Sequence, residues 1–180
     1  MKELLEDIQA AKLDLDEDLP RYPDLCFALE YWKSKKGDGL APPRAAIDPI
    51  EMPQLLPRVM LVDVETAEGS EEPDFRYRLS GTGIRTVHGY DPTRLRPTQL
   101  TPRIYGQLID AHYRAAVAAR EPLAHVIVMI TNMKQRSYAR IILPLSNDGA
   151  TINMLMTVDS ESQNLLREFL DMIEAIGKRR

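Results

Sequence analysis

Cysteine is almost missing from this chain of 180 residues: Cys26 stands alone, which excludes an internal disulfide and any metal centre built from several thiolates. Long apolar runs are missing too. The longest, such as Val126 to Ile130, fall far short of the roughly 20 residues that cross a bilayer, and no basic segment leading into an apolar stretch opens the chain. Nor is there an excess of positive charge. Lys and Arg number 23 against 27 Asp and Glu, and the net charge of -4 argues against a basic face that would displace counterions from a nucleic acid. His88, His112 and His125 do not fall at metal-ligand spacings, and no Ser, His and acid grouping surrounds a nucleophile turn, so neither a metal site nor hydrolytic chemistry is expected. What remains is a soluble cytoplasmic protein with no nucleic-acid or membrane partner.

The residues present are those of an ordinary globular chain, 44% hydrophobic and 28% charged, with length for one core. Leu4, Ile8, Ala11 and Leu15 recur at helical spacing and predict an amphipathic first helix. A second helical stripe, Leu25, Ala28, Leu29 and Trp32, runs out at Lys35, Lys36 and Gly37, so residues 1–37 read as an N-terminal helical extension. Cys26 lies inside that second helix, where a lone cysteine serves as a small core residue.

Prolines 42, 43, 49, 53 and 57 then exclude a long helix or a central strand and predict an ordered connector. Within it, Asp48 is placed to cap a helical turn starting at Pro49. Arg44 and Asp48 could form a catalytic pair, or simply satisfy backbone groups of the connector. Residues 58–65 and 74–80 read as a strand hairpin, the second strand alternating Phe75, Tyr77 and Leu79 with Arg76, Arg78 and Ser80. Gly81 and Gly83 give the chain freedom to turn out of the sheet, although the third glycine of a dinucleotide fingerprint is missing, Thr86 standing in its place. Thr101 and Pro102 announce a helix to Arg120 with Tyr105 and His112 toward its apolar side. Strands at 124–133, 137–145 and 151–158 follow, separated by Lys134 to Arg136 and by the turn Asn147, Asp148, Gly149. Ser160 and Gln163 at capping-box spacing begin a C-terminal helix over 160–180.

The expected architecture is α+β: a five-stranded antiparallel sheet with helices on one face and flanking N- and C-terminal helices. The order of elements, and the wording PPRAAIDPIEMPQLLPRVMLVDV, FRYRLSGTGI and HGYDPTRLR, resembles the PAS-domain family of short single-domain proteins of alphaproteobacteria, over about Tyr31 to Val158. Arg44, Asp48, Pro49 and Gly81 carry the structural motif of that resemblance. The chain departs from similar sequences at Arg94, Leu95 and Arg96, where a glycine is usual. The resemblance implies a PAS-like core at 38–159 enclosing a small cavity, with no reaction of its own and no cofactor assigned. Tyr77, Arg78, His88, Tyr105, His112 and Met129 are the candidate ligand contacts, His112 being the position to test for haem. Implied partners are a small molecule, a signalling protein and a second copy in a homodimer; a ligand-free dimerising scaffold is the alternative.

The direction of Arg78 divides the readings. If Phe75, Tyr77 and Leu79 face the helices, Arg76 and Arg78 share the opposite face with Tyr138 and Arg140 or their neighbours, pairing with acids such as Glu30 or Asp171. The opposite register turns Arg78 into the cavity as an anion site.

Overall fold

The computed structural model describes residues 5–66, 69–70, 72–88, 90–131 and 135–160. The predicted C-terminal helix lies outside these residues. Six strands form one antiparallel sheet in the order β1-β4-β5-β6-β2-β3, where β1 is Leu5–Leu13, β2 Val59–Thr66, β3 Pro73–Ser80, β4 Leu123–Thr131, β5 Gln135–Leu145 and β6 Met154–Asp159. The α-helices are α1 (Pro23–Lys36), α2 (Thr82–His88) and α3 (Arg103–Ala119), and short 3-10 turns fill the proline-rich connector.

Five of the strands stand where alternation and turn chemistry place them, and the sixth corrects the expected N-terminal helix. Leu5–Leu13 pairs antiparallel with β4, Ile8 opposite Met129 and Leu13 opposite Ala124. Its Leu, Glu, Ala and Lys content favours a helix locally, but β4 would otherwise be an open edge presenting Val126, Ile127 and Val128. Ladder pairing with such an edge outweighs a propensity difference of tenths of a kcal/mol per residue. The helical stripe is split by this outcome: Ile8 and Ala10 lie on one face of the strand, and Ala11 and Leu13 on the other.

Both faces of the sheet are covered, since every residue of β6 is buried. The Tyr105 and Tyr113 hydroxyls of α3 meet those of Tyr138 and Tyr77 on one face. Cross-strand partners share a face, so Arg140, Asp159, His125, Leu155 and Val62 lie on the α3 side as well. The other face carries Val126, Ala139, Ile141, Leu143, Met156 and Val158, all buried. Helix α1 packs against β5 and β6, with its stripe Leu25, Ala28, Leu29 and Trp32 buried and Trp32 Nε1 donating to the Pro144 carbonyl at 2.6 Å. It ends at Gly37, whose φ of 57° only glycine adopts without strain. Helix α3 starts at Arg103 after Pro102, without the side-chain cap expected from Thr101.

The β2–β3 ladder shifts register between Leu61 and Val62. Tyr77 therefore faces Val62 while Leu79 faces Leu61, so Leu79 leaves the face of Phe75 and Tyr77 and is 46% exposed. This corrects the simple alternation read from the sequence. Past β3, Gly81 runs against the connector. A Cβ there would meet the carbonyl oxygens of Leu56 and Pro57 inside contact distance, while its own N–H donates to the Val59 carbonyl at 2.8 Å. Gly81→Ala should lower stability by about 1–3 kcal/mol, read as a reduced urea midpoint with unchanged slope; a midpoint equal to wild type would show that the connector yields without cost.

Candidate functional site

The space between the sheet and α3 holds an unusual share of polar groups. Arg140 of β5 is 1% exposed, although its neighbours Ala139, Ile141 and Ile142 are apolar. Such a charge is tolerable only if paired and hydrogen-bonded. Its register partner Asp159 supplies this, accepting from Nε at 2.5 Å and from Nη2 at 2.9 Å. The Tyr105 hydroxyl stands 3.5 Å from Nη2 and 2.9 Å from the Tyr138 hydroxyl, and Tyr77 and Tyr113 share a second bond of 3.1 Å. Burial raises the pKa of all four phenols, Tyr113 to about 12, so all stay protonated and can donate. The Arg140 guanidinium opposes the shift at each phenol, and Asp159 holds Arg140 itself charged.

A cavity of about 10 Å³ lies beside this cluster, lined by Arg140, Tyr77 and Tyr105 with Met60, Ile84, Tyr90, Pro92 and Leu100. A second hollow on the opposite face is larger, about 460 Å³, and its walls include Arg44, Pro49, Leu56, Leu61, Leu79 and Gly81.

Of the sequence candidates, Tyr77 and Tyr105 therefore meet at the cavity. Arg78 turns away from it. Its side chain is 60% exposed and its Nε donates to Asp63 at 2.8 Å, so it braces the β2–β3 hairpin in place of the Glu30 or Asp171 pairing anticipated. The orientation into the cavity is thereby excluded for Arg78, whereas Tyr138 and Arg140 occupy the α3 face rather than the face of Arg78. His88 ends α2, and its side chain lies outside the described residues. Met129 sits on β4 opposite Ile8, half-buried at the edge of the core and away from the cavity lining.

In the connector, Arg44 Nη1 donates to the Ile47 carbonyl at 2.9 Å, and Asp48 caps the turn at Pro49 by accepting from Ile50 N at 2.9 Å. Both side chains thus serve backbone groups and are not paired to each other. Cys26 Sγ contacts the Leu19 carbonyl at 3.2 Å, its pKa raised by burial and then by Glu30 and Asp24, which makes it a poor nucleophile.

His112 of α3 stacks on His125 of β4, ring centroids 3.8 Å apart and planes within 10°. Neither Nδ1 has a partner among the described residues, and neither ring lines the cavity. Burial, then His125 and Arg140, lower the His112 pKa to about 3; burial, then Lys12 and Arg140, lower that of His125 to about 4. Both rings are neutral in the folded protein at neutral pH. Because the folded pKa values lie below the unfolded value near 6.5, the stabilisation is complete above about pH 6.5 and is lost as pH falls toward 4 and then 3. Replacing both rings by glutamine should flatten the fall in urea-measured stability between pH 7 and pH 5; an unchanged slope would place the acid sensitivity elsewhere.

Arg140, Asp159 and His125 are the site residues that sequence reasoning missed. The available signal was a lone arginine inside the apolar run 139–145, with a single aspartate closing the next strand in matching register.

The polar cavity roofed by helix over an antiparallel sheet is the frame of a sensory α+β domain, and the comparisons make the family explicit. Residues 23–158 match the PAS domain family, and the chain belongs to it, which marks it as a sensor or signalling module. Among solved structures, one described as an RNA-binding Light-Oxygen-Voltage receptor matches at 11% identity and a TM-score of 0.46, over 96% of this chain and 44% of that one. The chain thus spans less than half the length of that protein. No curated protein matches the chain. Among the described residues no helix is long and apolar enough to cross a membrane, and no cluster of His, Cys, Asp or Glu is suited to a metal.

Proposed function

We propose that this protein is a signalling module without catalytic output that takes up a small molecule between its sheet and α3 and passes the change to a partner protein or to a second copy of itself. One observation carries the reading: Arg140, Asp159 and four tyrosines are buried around the cavity, in a core that apolar side chains of similar volume would stabilise at least as well. Tyr77, Tyr105 and Arg140 are the contacts this reading assigns to the ligand. No group near the cavity is arranged as a nucleophile with a base, since the phenols are held protonated and the guanidinium is fixed on Asp159.

A second reading, a ligand-free dimerising interaction module, is favoured by the size of the cavity. About 10 Å³ holds no more than one water, so the core is nearly filled as it stands. Native mass spectrometry of the protein purified without added ligand separates the two. The first reading expects a stoichiometric added mass below about 500 Da that is lost on denaturation. A bare chain mass in every charge state, as monomer or dimer, would favour the second.

A further inference from the structure

The hydrogen bonds around Arg140 are incomplete on one side only. Asp159 engages Nε and Nη2, and the Tyr105 hydroxyl also faces Nη2, while Nη1 has no partner among the described residues. A buried donor left in this state costs about 1–3 kcal/mol, which a nearby acceptor would recover. Arg140 also lines the cavity, whose remaining walls are the apolar Met60, Ile84, Pro92 and Leu100 and the rings of Tyr77, Tyr90 and Tyr105. The site therefore offers one strong donor in an otherwise apolar and aromatic enclosure.

Charge decides what kind of acceptor fits. Arg140 is already neutralised by Asp159 at 2.5 Å, and the cavity lining contains no second cation. A carboxylate or phosphate would bring an uncompensated negative charge into the core, within reach of the existing Asp159 carboxylate. An uncharged carbonyl oxygen accepts the Nη1 proton without that penalty.

We infer that the ligand of this cavity is a small uncharged carbonyl compound, such as an amide, a ketone or a lactone, read by Arg140 Nη1 and held by the apolar wall. The inference rests on the small-molecule reading above and names its chemical class. Tyr90, Pro92 and Leu100, which belong to the segment between α2 and α3, form the wall that shifts outward to admit anything larger than water.

Thermal unfolding of the full chain with 100 mM acetamide or 100 mM sodium acetate at equal ionic strength tests this with an isosteric pair. Acetamide should raise the melting temperature by about 3 °C, and acetate should not. The acetamide shift should vanish in Arg140→Met. Should that variant fail to fold, Ile84→Phe, which fills the cavity and leaves Arg140 in place, should abolish the shift as well. A shift with acetate equal to or larger than that with acetamide overturns the uncharged class while small-molecule uptake stands. No shift with either probe, together with a charged co-purified molecule in native mass spectra, also overturns it. No shift and no co-purified mass would remove the underlying reading along with it.

Discussion

The buried pair of Arg140 and Asp159 is the interaction on which the arrangement of this core depends. It joins β5 to β6 in the middle of the sheet, and both partners are almost fully removed from water. In such surroundings the attraction only offsets desolvation when the geometry is good and the remaining polar atoms find partners. The tyrosines around it answer that demand. Tyr105 from α3 faces the guanidinium and meets Tyr138, so the helix is fixed over the sheet by oriented hydroxyls as well as by apolar contact. The same pair is held from its far side. Arg58 donates to the Asp159 carbonyl at 2.6 Å and to the Asp24 carboxylate at 2.6 Å, which ties the end of β6 to the start of α1. The cavity and the covering helix on the other face are therefore linked through Asp159, a route by which a change at Arg140 reaches the chain beyond Ser160.

Much of this frame is legible in the sequence because local signals and global packing agree. Alternation in 74–80, the Asn147 to Gly149 turn and the cap at Asp48 each have a local cause: Asp48 accepts from Ile50 N, and the Asp148 carboxylate accepts from Ala150 N and Thr151 N while Gly149 takes a φ of 75°. Gly81 is likewise fixed by its surroundings, there by the passing carbonyls of Leu56 and Pro57.

The failures share one physical origin, which is that the deciding partner is far away in sequence. Residues 5–13 have helical content and become a strand because β4, more than a hundred residues later, needs an edge partner. Leu79 looks like a core residue of an even alternation, and only a shift in the β2–β3 ladder moves it to the exposed face. Arg78 and Arg140 look alike as arginines in strands, yet one pairs with Asp63 at the surface and the other with Asp159 in the core. Nothing local distinguishes them except the apolar run around Arg140.

The central claim is that the α3 side of the core is organised by a paired and desolvated Arg140. A double-mutant cycle in urea unfolding tests it most directly. Asp159→Asn should cost about 3 kcal/mol or more, because it leaves a buried guanidinium without its counter-charge, while Arg140→Met combined with Asp159→Leu should cost far less than the sum of the single variants. A loss below about 0.5 kcal/mol for Asp159→Asn, or strict additivity in the cycle, would contradict the account.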